Sequence, residues 1–285
     1  MRINSKQSIA KAFRELKSGE TLFLEEGTYR VQGQAVLTGR AGITIRGEGR
    51  VVVQGGLKFE GCHNLDIQDL TIRQSRTHGL FVVGSLGLRV ARVRSVNNAG
   101  SGLLTGNVLN VLIERGLFFK NTQHGIYLSQ SGDDLSIYEC ECLENRSAGI
   151  QINGDERREK PDDLAHDSIS QRVQISGCVL SGNQKQGGAA AITLSCVRSA
   201  EIRRNYVVNH PGRHGIALWD GGRKTPEGTF ACHDVSLLGN EIGFVPGKGQ
   251  ACISIGEGCS DIRIGEGNKS LGSVKLIEDQ RKTQK

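Results

Sequence analysis

The chain has 285 residues, with 39 glycines, four prolines and a net charge of +6. No run of 18 apolar residues occurs, which excludes a membrane-spanning helix, and no signal peptide is visible at Met1. Many glycines with little proline favour short strands joined by tight turns. The positive charge favours an acidic partner, although a charge of this size also suits an ordinary soluble surface.

The first 30 residues are predicted to form a cap on the N-terminal end of the fold. An amphipathic helix is expected from about Ser5 to Lys17, because Ile9, Phe13 and Leu16 fall on one of its faces. A first strand and turn follow over residues 19–29. Since the ends of a stacked repeat structure need covering, this helix is expected to close the N-terminal end.

A repeat of about 23 residues fills residues 31–279. Glycines followed by an aliphatic residue recur at Gly79, Gly102, Gly125 and Gly149, at spacings of 23, 23 and 24 residues. A second series of apolar–x–apolar triplets runs in parallel with it, as expected for short strands. The sequence therefore predicts an all-β fold in one domain: a single-stranded, right-handed parallel β-helix of about nine coils with an N-terminal capping helix. Residues 280–285 are a polar tail.

Three asparagines hold the same position in successive repeats. Asn98, Asn121 and Asn145 each lie four residues before a repeat glycine. We predict a ladder in which their side-chain amides hydrogen-bond from coil to coil. A row of ligand-binding side chains is the alternative.

The eight cysteines do not have the spacing of a disulfide framework or a zinc site. Cys140, Cys142 and Cys178 fall at inward strand positions and are predicted to be buried, unpaired core residues. No histidine or cysteine lies at zinc-ligand spacing from them, so no metal site is predicted. No cofactor is evident either; calcium is a candidate without a recognisable acidic cluster.

Two coils are longer than the repeat, with insertions near residues 154–168 and 220–233. Both insertions begin just after a Gly–Ile strand, so they are expected to project from the same side and to enclose a groove. Asp155 and Asp220 stand at their starts, two coils or about 9.6 Å apart. This is near the upper end of the carboxylate separation in inverting glycosidases, so both are candidate catalytic residues.

The floor of this groove follows from the alternation of strand residues. Aromatic, amide and hydroxyl side chains there suit sugars, and charged loop residues would neutralise a uronate. The alternative is an ordinary solvated sheet face with flexible loops. His124 and His214, each preceding a repeat glycine, are further catalytic candidates, although a turn residue bonded to backbone is the alternative. The candidate substrate-binding residues are Tyr127, Gln151, Asn153, Thr193, Trp219, Arg157, Arg158, Arg223 and Lys224.

The segment from His124 to Asp220 resembles the pectate-lyase-like right-handed β-helix superfamily, in particular bacterial right-handed parallel β-helix repeat proteins. The phrases that carry the resemblance are residues 124–129 (HGIYLS), 149–155 (GIQINGD) and 215–218 (GIAL). The resemblance implies the fold and carbohydrate processing, without naming a substrate. The Asp-Pro-His motif of alginate epimerases and the calcium-binding acidic cluster of pectate lyases are not found.

Two functions remain open at this stage. One is a polysaccharide lyase or glycoside hydrolase that acts on an acidic polysaccharide in the groove. The other is a non-catalytic carbohydrate-binding or surface module. The expected partner is a polysaccharide rather than nucleic acid or a membrane, since no basic–aromatic motif is present; the oligomeric state is undetermined. The protein is expected to be secreted or on the cell surface if a leader has been removed, and cytoplasmic otherwise.

Overall fold

The computed structural model describes residues 1–129, 132–154, 169–184, 190–219, 224–225 and 228–281. Over this part of the chain, short strands wind into a parallel β-helix of about ten turns, each turn contributing a strand to each of three faces. The prediction of a parallel β-helix is confirmed, with about one turn more than the nine expected. We call the three faces sheets A, B and C.

Sheet A comprises the second halves of Gly27–Thr38 and Val51–Glu60, the first halves of Leu80–Ala91 and Leu103–Glu114, and then Ile126–Ser129, Ile150–Asn153, Ala190–Ser195, His214–Trp219, Ala251–Ile255 and Lys275–Asp279. Sheet B comprises Arg2–Ile3, Thr21–Leu24, Ala41–Gly47, His63–Gln68, the second halves of Leu80–Ala91 and Leu103–Glu114, Asp133–Tyr138, Ser170–Ser176, Val197–Arg203, His233–Leu238 and Ser260–Ile264. Sheet C comprises the first halves of Gly27–Thr38 and Val51–Glu60, then Thr71–Arg73, Arg94–Val96, Leu117–Phe119, Glu141–Leu143, Val179–Ser181, Tyr206–His210, Glu241–Phe244 and Lys269–Ser270.

The core is a thin stack of aliphatic side chains inside the coil. Ile126, Ile150, Ile192 and Ile216 are partners in successive strands of sheet A, and all four are fully buried. This is the predicted column of the Gly–aliphatic repeat. Burying each aliphatic side chain stabilises the fold by about 1.5–3 kcal/mol relative to exposure.

The turns from sheet B to sheet C require left-handed backbone at one residue per coil. Arg92, Arg115 and Glu139 take this conformation with φ of 52°, 52° and 49°. Each costs about 1–2 kcal/mol for an L-residue, a cost that the stacked, fully buried residues after the turn, such as Val93 and Cys140, offset.

The asparagine ladder is confirmed. Asn98 donates from Nδ2 to Asn121 Oδ1 at 2.9 Å, Asn121 donates likewise to Asn145 at 2.9 Å, and Asn145 donates to Asn183 at 2.9 Å. A second ladder lies at the turn from sheet B to sheet C, where sequence reasoning did not place one; it consists of Asn205, Asn240 and Asn268.

The N-terminal helix covers the first coil, but it spans only Ile9–Glu15. Its start is set by Ser8, whose Oγ accepts a hydrogen bond from the Lys11 N–H at 3.3 Å as an N-cap. The residues expected to begin the helix instead form a turn, in which Asn4 Oδ1 accepts from the Lys6 N–H at 3.0 Å. Phe13 is buried beside Phe59, with ring centroids 5.6 Å apart.

The eight cysteines all lie within the described residues and are buried, and none is in a disulfide bond. Burial raises the pKa of the Cys142 thiol well above its ordinary value. The predicted core role of Cys140, Cys142 and Cys178 is therefore confirmed. In the described part of the chain, no helix has the length and apolar character needed to cross a bilayer.

Candidate functional site

Both long insertions leave the coil at the junction of sheets A and B. Asn153, Ser195 and Trp219 are register partners at the ends of three neighbouring strands of sheet A. The strand ends that precede the two insertions therefore lie on one side of the β-helix, two coils or about 9.6 Å apart; that the insertions enclose a groove stays a prediction. Several predicted site residues lie outside the described residues, and their roles stay predictions: Asp155, Arg157, Arg158, Asp220 and Arg223. Of Lys224 only the backbone is described, in a two-stranded hairpin with Gly228–Thr229.

A continuous column of outward side chains crosses sheet A between the N-terminal end and these insertions. In register order it runs Lys58, Phe81, Leu104, Tyr127, Gln151 and Thr193. After Lys58 the column is apolar at Phe81 and Leu104, and it is polar from Tyr127 onward. Sequence reasoning missed Phe81 and Leu104, although both occupy the position of Tyr127 in the preceding repeats, and the repeat spacing could have found them.

Tyr127, Asn153 and Gln151 form one hydrogen-bonded group on two neighbouring coils. Asn153 donates from Nδ2 to the Tyr127 phenolic oxygen at 3.1 Å, and Gln151 donates from Nε2 to Asn153 Oδ1 at 2.9 Å. A phenol whose oxygen is held in this way by an amide can donate its O–H to a neighbouring group.

His124 completes the group. Its ring lies against Tyr127, with centroids 4.8 Å apart and planes tilted by 48°. Burial lowers the pKa of His124 to about 4, with a smaller contribution from His78, so the ring is neutral at neutral pH. Its Nδ1 is buried and, among the described residues, has no hydrogen-bond partner. A neutral imidazole offers one nitrogen lone pair, and a pKa of about 4 means that this ring is free to take up a proton but holds it only weakly.

His214 does not join this group. Its strand lies three coils beyond that of Tyr127, about 14 Å along the axis. The pKa of His214 is lowered mainly by burial, against the opposing effect of Glu278, whose carboxylate oxygen lies 3.9 Å from His214 Nδ1. The two histidines predicted from the same repeat position therefore cannot act on one reacting atom.

The outward face of sheet A that was predicted to form the floor of the groove is more buried than expected. Thr193 and Asn153 are each only 4% exposed, whereas Tyr127, Gln151 and Trp219 are half-buried. Asn153 is buried because its amide is held between Tyr127 and Gln151. Alternation along a strand gives the outward direction of a side chain, but exposure also depends on whether other parts of the chain cover that face.

A family model for a right-handed β-helix region matches residues 55–231, more than half of the chain. The chain belongs to the right-handed β-helix family. This match also confirms the predicted handedness. A comparison with curated proteins finds no match.

Solved structures share this right-handed β-helix at low sequence identity. A protein of Geobacillus virus E2, ORF18, is 11% identical, with a TM-score of 0.63 over 99% of this chain and 62% of that chain; the present chain thus spans less than two thirds of it. An alginate lyase from Paenibacillus sp. str. FPU-7 is 13% identical, with a TM-score of 0.58 over 99% of both chains. The polygalacturonase of Erwinia carotovora ssp. carotovora is 9% identical, with a TM-score of 0.58 over 92% of this chain and 84% of that chain.

One further histidine of this β-helix, His210, is buried, and the sequence did not single it out. His210 is 1% exposed, and neither ring nitrogen has a hydrogen-bond partner within the described residues. Burial lowers the pKa of His210 to about 4. Its ring packs against Phe244 at 5.7 Å, so it behaves as a neutral core residue. The burial of His210 could not be predicted from the repeat, because the strand that holds it ends in the irregular segment Asn209–Pro211.

Within the described residues, no group of three or more His, Cys, Asp or Glu side chains is arranged to hold a metal ion. The described part of the site is built instead from a phenol, an imidazole and two amides. These groups can move a proton and can hydrogen-bond a carboxylate.

Proposed function

We propose that this protein is a polysaccharide lyase that acts on an acidic polysaccharide, with Tyr127 and His124 as the acid–base pair. The observation that carries the proposal is the contact of these two rings beside the amides of Asn153 and Gln151. The fold similarity to an alginate lyase and a polygalacturonase supports a polysaccharide substrate.

The reaction is an elimination next to the carboxylate of a uronate. A base removes the proton from the carbon that bears the carboxylate, the neighbouring carbon–oxygen bond of the glycosidic link breaks, and a carbon–carbon double bond forms. The leaving oxygen takes up a proton. Tyr127 and His124 supply the groups that accept and return these protons, which typically contributes about 10²–10⁴-fold each.

Charge accumulates on the uronate carboxylate as the proton leaves. Gln151, half-buried beside the phenol, would donate a hydrogen bond from its amide to the developing charge and stabilise it, while Asn153 holds the Tyr127 oxygen. The arginines and the lysine predicted in the insertions would add positive charge here. The predicted positions of Asp155 and Asp220 favour the alternative, hydrolysis by two carboxylates, and the test below separates the two.

The test uses polymannuronate, polyguluronate and polygalacturonate as substrates, and follows both ultraviolet absorbance of unsaturated uronates and new reducing ends. The wild type is expected to produce both signals together. Tyr127→Phe and His124→Gln should each lower the rate by about 10²-fold or more. Tyr206→Phe is the matched control, because Tyr206 is 43% exposed on sheet C, away from the site.

Three results would contradict the proposal. New reducing ends without absorbance, lost in Asp155→Asn or Asp220→Asn, would establish a hydrolase. Binding of these polymers with neither product would establish the non-catalytic module. An elimination activity that Tyr127→Phe and His124→Gln both retain would place the catalytic groups elsewhere.

A further inference from the structure

A cleft of about 610 Å³ lies at the corner between sheets C and A in the first three coils. Along the axis, the candidate active site lies three coils, about 14 Å, beyond the middle coil of the cleft, and two coils, about 10 Å, beyond the coil of Arg76. The cleft is not formed by either long insertion. Its lining residues are Arg30, Val31, Gln32, Gly33, Gln54, Gly55, Gln74 and Arg76.

Unequal corner lengths create this cleft. The second coil passes from Gln54 in sheet C to Leu57 in sheet A in three residue steps. The first coil takes five steps, from Arg30 to Ala35, and the third takes seven, from Arg73 to Leu80. Because the middle corner is the shortest, the corners on both sides project beyond it and form the walls.

The short middle corner of the cleft contains Gly55, which has no side chain. Gly55 has a φ of 126°, and a Cβ on it would lie 2.4 Å from the Val31 carbonyl oxygen. Glycine is therefore required for the first corner to bulge over the second. The backbone at Gly33, with a φ of 71°, turns this bulge outward.

The chemistry of the walls is basic and amide-rich. Neither Arg30 nor Arg76 has an ion pair or hydrogen bond within the described residues, and no carboxylate lines the cleft. The two guanidinium groups border one cleft from its first and third coils, so both would attract an anion bound between them. Gln54 donates from Nε2 to Gln74 Oε1 at 2.7 Å, so a row of amides lies between the arginines.

Amides bond well to hydroxyl groups, because they offer both donors and acceptors. Arginines bond well to carboxylates and sulfates. A cleft of this size accommodates a ligand of one or two sugar rings. We infer that this arginine cleft is a second binding site that takes an acidic sugar, bearing a carboxylate or a sulfate, separate from the Tyr127 site. The inference goes beyond the proposed function, shares with it only the acidic class of ligand, and needs no catalytic group.

The test is titration calorimetry with two acidic disaccharides, digalacturonate and a sulfated disaccharide, each too short to contact Arg30 and Tyr127 together, because four coils separate these residues. A Tyr127→Phe background prevents turnover, and cellobiose and inorganic phosphate serve as comparison ligands. The Arg30→Gln/Arg76→Gln double variant should weaken binding of the preferred acidic disaccharide by about tenfold or more. Gln32→Ala, which keeps both charges, should weaken it less.

Arg204→Gln is the matched control: this exposed arginine lies at another corner, in a distant coil, and should leave binding unchanged. Both cleft arginines are exposed and make no described contacts, so the double variant should keep its circular dichroism spectrum. Unchanged affinity in the double variant, phosphate binding as tight as that of the disaccharides, or no binding of either acidic disaccharide would each overturn the inference. Lyase activity that is normal in the double variant but absent in Tyr127→Phe would leave the proposed function standing when the inference fails.

Discussion

The asparagine ladder offers the sharpest test of what holds the coils together. Asn121 is fully buried and takes part in four side-chain hydrogen bonds. Its Nδ2 donates to the Ser95 carbonyl at 3.1 Å and to Asn145 Oδ1 at 2.9 Å, while its Oδ1 accepts from Asn98 N and Nδ2 at 3.2 and 2.9 Å. Replacing Asn121 with alanine removes all four.

The cost comes mainly from the partners left behind. The Asn98 backbone N–H loses its acceptor and the Ser95 carbonyl loses a donor, and each buried unsatisfied group costs about 1–3 kcal/mol. We therefore expect Asn121→Ala to lower the free energy of unfolding by about 4 kcal/mol. Asn121→Asp keeps the size of the side chain, but it places a carboxylate oxygen where the amide nitrogen faced the Ser95 carbonyl and Asn145 Oδ1. It should therefore be at least as destabilising as Asn121→Ala.

The assay is urea unfolding followed by circular dichroism, with hydrogen exchange to locate the loosened coils. Gln123→Ala is the control, because Gln123 is exposed at the same corner and, among the described residues, its side chain accepts only a long hydrogen bond from Ser101 Oγ at 3.4 Å; it should change the free energy of unfolding by about 0.5 kcal/mol or less. A loss below 1 kcal/mol for Asn121→Ala, or one equal to that of Gln123→Ala, would show that the ladder does not stabilise the stack.

Three further predictions concern the core. Gly125→Ala should destabilise the fold by about 1–3 kcal/mol in the same urea assay, because the added Cβ would lie 2.6 Å from the Gly149 carbonyl oxygen. Gly272→Ala is the control and should be close to neutral, because a Cβ there would have no atom within 4 Å. The folded pKa of His210, about 4, lies below its unfolded value, so stability is complete above pH ~6.5 and falls as the pH drops toward 4; urea midpoints across this range should fall less steeply for His210→Gln, and an unchanged slope would refute this role. Thiol titration without reductant should count eight thiols in denaturant and far fewer in the native state, since all eight cysteines are buried and none is in a disulfide bond.

The interior of the stack was predictable because it repeats. Each inward residue meets the same residue type above and below, so the spacing of Ile126, Ile150, Ile192 and Ile216 in the sequence was enough to place them in one column. The same reasoning predicted the ladder at Asn98, Asn121 and Asn145. It missed the ladder from Asn205 to Asn268, because these coils differ in length and the asparagines show no constant spacing.

The contacts within the candidate site could not be predicted from the repeat spacing of the sequence. The sequence identified Tyr127, Gln151 and Asn153 as outward residues, but the hydrogen bond from Asn153 to Tyr127 joins neighbouring coils whose residues are 26 positions apart in the chain. His124 and His214 occupy the same position in the repeat, but they lie three coils apart. This places them about 14 Å from each other along the axis.

The sequence by itself determined the coil, its inward columns and the side from which the insertions leave, because period and alternation are local properties that stacking repeats without change. Only the tertiary structure decided which outward side chains are buried, which histidines are neutral and where the arginine cleft opens. Those properties depend on how corners of unequal length lie over one another, as at Gly55 beneath Val31, and local spacing does not determine them.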